Sequence, residues 1–281
     1  MSGTPVLIRP DNEVFPAREY KKGRPPARRR PRLARFIPNP SVNLSFGRVV
    51  PRLAAMLSEQ DGPSAVLLVG SGDQRNEVGQ TLDAGRHAID VVAVDVDPSA
   101  DVDAFCDAHD LPFPDASFDA VISTAVLEHV LDPERVVAEM RRVLRPRGLI
   151  YTEIPFMQQV HEGAYDFTRF TLSGHRRLMR HFDELDKGAV AGPGTSLAWT
   201  IERFLIALAP PRLDPVMRAV SRLLFSWVKY VDRFVAHRPA ALDAASCTYF
   251  FGRRREGEPV PDAEVVAGYY GGAHRSPRSA T

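Results

Sequence analysis

The chain has 281 residues, of which 44% are hydrophobic and 25% charged, with a net charge of +1 at pH 7. Such proportions describe a soluble globular protein able to bury a sizeable core, in one large domain or two small ones. Its only cysteines, Cys106 and Cys247, exclude a disulfide framework or a Cys-x-x-Cys metal pair and fit a reducing cytoplasm.

No metal ligand set is expected, and Cys106, in an apolar strand, reads as a small core residue. The start MSGTPVLIRPDNE lacks the charged beginning and long apolar stretch of a signal peptide. No window approaches about 18 uncharged apolar residues, so no spanning helix is expected either.

The charge is unevenly spread. Between Arg18 and Arg35 nine Lys/Arg stand against one Glu, a local +8, and the remainder of the chain is mildly acidic. Residues 1–40, centred on KKGRPPARRRPR, hold too little apolar surface to fold alone and read as a flexible basic arm. The arm is either a solvated leader or a contact for an anionic partner such as phospholipid. Without interleaved aromatics or a binding motif, nucleic acid is not favoured.

From Val49 helix and strand alternate. VVPRLAAML reads as a helix, Ala65–Val69 as a buried strand, 75–88 as partly helical and Val91–Val96 as a second strand. VDAFC follows after too few residues for a crossover helix, since parallel neighbours normally need about a dozen residues between them; it is either a short strand joined directly or one that pairs irregularly. Asp119–Ser123 is the next strand. Pro133–Leu144 has a helical apolar period with proline suited to its first turn, and Gly148–Ile154 is again a strand.

Beyond it, Thr171–Phe182 reads as a helix despite Gly174, and ELDKGAV and Ala245–Gly252 as a late antiparallel pair. Two helical segments, near 196–208 and 214–236, lie between that pair. The tail from Arg254 is polar, punctuated by Gly and Pro, and expected to be loose. Strands separated by helices imply a parallel sheet covered on both faces, an α/β fold.

The chemistry-bearing motifs follow the strands. Gly70-Ser71-Gly72 ends the first strand, where a Cβ would block close approach of a ligand to the backbone. Asp95 ends the second strand, with Asp97 a competitor for the same role. Asp107 to Val130, DAHDLPFPDASFDAVISTAVLEHV, and then RRVLRPRGLIYTEIPF complete the pattern. Together these stretches resemble the class I S-adenosylmethionine (SAM)-dependent methyltransferases, of the broad UbiE-like, methyltransferase type 11 group. An NAD-dependent oxidoreductase fits less well, because position 75 is Arg where its loop would want a glycine.

The resemblance covers Val66 to Phe156 and implies a Rossmann-like, doubly wound, mostly parallel seven-stranded sheet with an antiparallel last strand. The family's last two strands usually form a hairpin, so 191–243 becomes a helical insertion within a methyltransferase domain spanning 41–253. SAM is the implied cofactor. Gly70, Ser71, Gly72, Asp95, Asp107, Ala108, Leu111, Thr124 and His129 are the implied cofactor-binding residues, with Asp95 on the ribose and Asp107-Ala108 on adenine. Leu68, Gln74 and Arg147 depart from the pattern at an acidic and two glycine positions.

Glu128 and His129 are expected to open the helix after the central strand, with Glu128 facing substrate. The segment Pro155–Thr171 resembles a bacterial subgroup linked to envelope or glycan biosynthesis. There His161 is the candidate catalytic base, Asp166 its orienting partner and Arg169 an anchor for a substrate anion; an Asp166–Arg169 ion pair that merely fixes the loop remains open. The expected activity is methyl transfer to an oxygen of a small-molecule, glycan or lipid-linked acceptor. A degenerate fold serving as a SAM-binding or interaction module is the alternative.

Between Val216 and Val235, Val220, Leu223, Leu224, Trp227, Val231 and Phe234 fall opposite Arg218, Arg222, Lys229 and Arg233 on a helical projection. Such a helix either packs on the core or lies against an anionic membrane, so the chain is expected in the cytoplasm or peripherally at the inner membrane face.

Overall fold

The structure, a computed structural model, describes residues 3–16, 37–72, 74–83 and 88–272. Most of the basic arm and the end of the tail therefore lie outside the described residues. The elements run in order α1 (Phe46–Leu57), β1 (Ser64–Val69), α2 (Arg75–Leu82), β2 (Ile89–Asp95), β3 (Ala104–Phe105), β4 (Phe118–Thr124), α3 (Pro133–Val143) and β5 (Leu144–Pro155). Then come α4 (Leu172–Leu178), β6 (Phe182–Ala191), α5 (Pro193–Leu208), α6 (Asp214–Phe225), α7 (Asp232–Val235), α8 (Pro239–Leu242), β7 (Cys247–Arg254) and α9 (Asp262–Ala267).

The seven strands form one sheet of order β3-β2-β1-β4-β5-β7-β6, in which β7 alone runs antiparallel to its neighbours. The order reverses between β1 and β4, where ligands of open α/β sheets bind beyond the strand carboxyl ends. β4 is buried at every residue, as a central strand covered on both faces requires. In β1, Val66 and Leu68 join the core formed with Val49, Leu53 and Val78, while Leu67 and Val69 join Val121, Met140 and Ile150 on the other face. Helix α3 starts as its sequence suggests: the Asp132 carboxylate accepts the Arg135 N–H at 3.0 Å, and Pro133 occupies the first turn.

No helix separates β2 from β3 in the described residues. The link is an irregular turn closed by Asp103, whose carboxylate accepts Ala93 N–H at 2.9 Å and pairs with Arg75 at 2.7 Å. Arg147 holds a left-handed φ of +62° where the family pattern has glycine, a conformation that costs an L-residue roughly 1–2 kcal/mol. The next residue must be glycine, because a Cβ on Gly148 would lie 2.9 Å from the Arg145 carbonyl and 3.1 Å from that of Asp119.

Several expectations are corrected. Residues 3–16, expected to belong to a flexible arm, lie along the sheet edge: Leu7 N donates to Phe105 O at 2.8 Å and Phe105 N to Pro5 O at 2.9 Å. The polar tail folds back as well, because α9 docks on α4, where Arg176 donates to the carbonyls of Val265 and Gly268. Helix α4 stops at Leu178, so that Phe182 can begin β6.

The expected helix 214–236 is also broken. α6 ends at Phe225, and residues 226–231 wind as a tighter 3-10 turn. That winding turns Lys229 and Asp232 inward, with Lys229 Nζ donating to the Asn39 carbonyl and Asp232 fully buried. The apolar side faces outward: Leu223, Leu224, Trp227 and Phe234 are each more than half exposed. No described helix is long and apolar enough to cross a membrane.

Candidate cofactor and acceptor site

The glycine turn closes over the switch between β1 and β4. Gly70 and Gly72 both have positive φ, and a Cβ on Gly70 would lie 2.2 Å from Val126 Cγ2. The Asp95 carboxylate spans the turn, accepting Gly72 N–H through Oδ2 and Asp97 N–H through Oδ1, each at 2.8 Å. Burial raises the Asp95 carboxyl above its ordinary range. The Asp97 carboxylate is bonded to the N–H and hydroxyl of Ser99. Leu68 is buried in the core, and Gln74 accepts the Thr124 hydroxyl.

Two serines carry the test of whether this turn suits a polar ligand. Ser71 and Ser123 are buried at the ends of β1 and β4, yet neither hydroxyl has a partner among the described residues. Such orphaned groups in a cradle too tight for a Cβ suit the amino acid end of SAM.

Asp107 stands beyond β3 and accepts the His109 N–H at 3.0 Å and contacts its ring at 2.6 Å. Burial alone would raise its carboxyl, but the bonds from His109 and Asn12 hold it below the usual value. Ala108 and Leu111 are buried beside it. Asn12 Nδ2 donates to Asp107 Oδ2 at 2.6 Å, and Arg9 pairs with Asp110. A cleft of about 380 Å³ lies between residues 7–15 and the 107–110 turn, extending to His129 and Phe167.

Asn12 and Phe15 line this cleft, and the sequence reading did not single them out. The only available signal was the alternation of Val6 and Ile8, submerged in a segment read as one with the basic stretch.

Glu128 and His129 do not begin a helix; they occupy the turn after β4, ahead of α3. This turn meets the 158–170 loop, whose Phe167 and Thr168 N–H groups donate to the Glu128 carbonyl. His129 and His161 approach with Nε2 atoms 3.1 Å apart. His129 Nδ1 lies 2.7 Å from the Tyr165 carbonyl, and His161 Nδ1 lies 3.3 Å from Asp166 Oδ2.

Asp166 also accepts the His161 backbone N–H at 2.9 Å and is gripped by Arg169, which holds its carboxyl down to about 2 against the opposing effect of burial. Burial and His129 together depress the His161 imidazole.

Glu128 completes the cluster. Its side chain is fully buried, Oε1 lies 3.6 Å from His129 Nε2 and 3.9 Å from His161 Nε2, and neither oxygen has a hydrogen-bond partner among the described residues. Burial pushes this carboxyl up to about 8. The sequence reading placed these residues separately; only the loop after β5 brings His161 onto the Glu128-His129 turn. Arg169 is spent on Asp166 and on the carbonyls of Gln158 and Thr168.

An open sheet with its glycine turn, acidic strand ends and polar cluster all at one carboxyl edge defines a Rossmann-like methyltransferase fold. A methyltransferase-domain family model matches residues 69–152. The 27-O-demethylrifamycin SV methyltransferase of Amycolatopsis mediterranei is 33% identical over 237 residues, covering 78% of this chain and 80% of that protein. The chain belongs to the class I SAM-dependent methyltransferases, whose common cofactor is SAM.

The ubiquinone/menaquinone biosynthesis C-methyltransferase of Ralstonia pickettii is 41% identical over 68 residues, or 24% of this chain, and the match spans 28% of that protein's length. A solved 1,6-didemethyltoxoflavin-N1-methyltransferase from Burkholderia thailandensis superposes with a TM-score of 0.43 at 18% identity, covering 75% of this chain and 79% of that one.

Proposed function

We propose that this protein transfers the methyl group of SAM to an oxygen of a small-molecule, glycan or lipid-linked acceptor. The observation that carries the reading is the His129–His161–Glu128 cluster, in which Glu128 and His129 stand on the turn directly after the strand ending in Thr124 and His161 reaches them from the loop after β5. The acceptor therefore meets imidazole nitrogens beside the cofactor cradle. The rifamycin relative, named for an oxygen methylation, supports the same choice of atom.

In this reading Gly70, Ser71, Gly72 and Ser123 hold the amino acid end of the cofactor, Asp95 the ribose hydroxyls, and Asp107, Ala108 and Leu111 the adenine, with Thr124 fixing the glycine turn through Gln74. Bound SAM supplies an electrophilic methyl on a sulfonium. The protein's remaining work is orientation and handling of one proton. Nδ1 of His129 lies beside the Tyr165 carbonyl and Nδ1 of His161 beside Asp166 and the Gln159 carbonyl, and when both rings donate there the two Nε2 atoms can share one proton between them. A pair of this kind takes up the proton that the acceptor hydroxyl loses. Asp166, fixed by Arg169, orients His161.

Replacing His161 with alanine is expected to lower turnover of the acceptor by about 10²–10⁴ while SAM affinity stays within a few-fold, as read by transfer of labelled methyl and by calorimetry. Undiminished turnover by that variant would remove the cluster from the chemistry.

A lipid-linked acceptor would be met at a membrane, and the insertion suits that encounter. Phe204, Leu208, Leu223, Trp227 and Phe234 are exposed among arginines. From the inner side of the same segment, Lys229 donates to the carbonyl of Asn39, which follows in sequence the stretch that carries nine Lys/Arg. Apolar anchors with clustered cations recognise anionic lipid surfaces. The protein should co-sediment with phosphatidylglycerol vesicles but not with phosphatidylcholine ones, and Trp227→Glu should weaken that binding. Equal recovery with both lipids would contradict the assignment.

A further inference from the structure

We infer that Glu128, His129 and His161 form a binding site for one divalent first-row transition-metal ion at the acceptor end of the site. The two Nε2 atoms stand 3.1 Å apart. An ion about 2.1 Å from each would subtend an angle of about 95–100°, within the range of tetrahedral to octahedral coordination. Glu128 Oε1 converges on the same space from 3.6 and 3.9 Å. That carboxylate is fully buried and its oxygens are unpartnered among the described residues, a costly arrangement that coordination relieves.

The outer contacts point the same way. Metal-bound imidazoles present their second nitrogen to a carbonyl or carboxylate, which fixes the ring and raises its basicity. His129 does so to the Tyr165 carbonyl and His161 to Asp166, itself held by Arg169. Two imidazoles and one carboxylate suit zinc, iron, cobalt or manganese better than magnesium or calcium.

The role of the ion rests on the methyl-transfer reading, whereas its binding does not. The metal-loaded site would keep the methyl transfer but take over the imidazole pair's part in it: a cation held by the Nε2 atoms would bind the acceptor oxygen and lower the pKa of its hydroxyl, and the proton would leave to solvent.

The test uses the full, tag-free chain stripped with a chelator. Calorimetry with zinc, and visible spectroscopy with cobalt(II), should report one ion per chain without SAM present. His161→Ala and Glu128→Gln should each weaken binding by at least the roughly 10–100-fold that loss of an outer partner costs. If Glu128→Gln fails to fold, His161→Ala carries the comparison, because its side chain is partly exposed.

No heat or spectrum with the wild-type chain, or unchanged affinity in the variants, overturns the site. SAM binding measured on the same stripped protein separates the two readings: a chain that takes zinc but not SAM loses the methyl-transfer assignment and keeps the metal site.

Discussion

Replacing Asp232 with alanine should cost about 3–5 kcal/mol of stability, the scale of a buried charge network losing its centre. Asp232 opens the short α7, yet its carboxylate serves the start of α5. It accepts Gly192 N–H at 3.0 Å, Gly194 N–H at 2.7 Å, and Thr195 N–H and hydroxyl at 2.9 and 2.7 Å.

A helix begins with backbone donors that no residue of the same helix can satisfy, and here they are buried and met from 37 to 40 positions along the chain. The negative charge also sits at the favourable end of the helix dipole.

The glycines make this contact geometrically feasible, since a Cβ on Gly192 or Gly194 would lie 2.6 or 2.9 Å from Asp232 Oδ1. Removing the carboxylate leaves several buried N–H groups unpaired and loosens the insertion from β6. Urea denaturation should show the loss as an earlier midpoint, with Asp232→Asn intermediate because one oxygen remains. An unfolding free energy for the alanine variant within about 0.5 kcal/mol of wild type, the scale of an ordinary surface substitution, would show that the network does not anchor the insertion.

Asp95→Ala should weaken SAM binding by about 10²–10⁴-fold, because hydrogen bonds to a charged group contribute about 1.5–3 kcal/mol each and two ribose hydroxyls are at stake. The carboxylate also braces the glycine turn through Gly72 N–H, so its loss relaxes the cradle as well. Asp97→Ala is the informative control. The sequence leaves both aspartates open for the role, but Asp97 is engaged with Ser99. Its replacement should change affinity only a few-fold. Calorimetry with SAM decides the pair, and an Asp95→Ala chain with wild-type affinity would end the assignment of that position to the ribose.

Much of the cofactor half was legible because it depends on short-range geometry. A strand must end, a glycine must turn with positive φ, and an acidic residue must follow the next strand; Gly70, Asp95 and Asp107 each report such a local requirement. The missing crossover helix was legible too, since twelve residues from Asp95 to Asp107 leave no room for one. The acceptor half was only partly so. His161 and Asp166 stood out as polar groups among aromatics, yet nothing in their spacing brings them to Glu128 and His129, more than thirty positions earlier. Asn12 was hidden for the same reason, being 95 residues from Asp107.

By itself, then, the sequence determined the alternation of strands and helices, the glycine turn and the family of the fold, because periodicity and backbone conformation are local properties. The tertiary structure decided which distant polar groups share a space: the His129–His161–Glu128 cluster, the Asn12–Asp107 contact and the Asp232 cap on α5. It also decided which side of the insertion faces water. An amphipathic pattern states that two faces differ, but the buried Glu202 and the backbone carbonyl of Asn39 draw Arg222 and Lys229 inward, leaving the apolar side exposed.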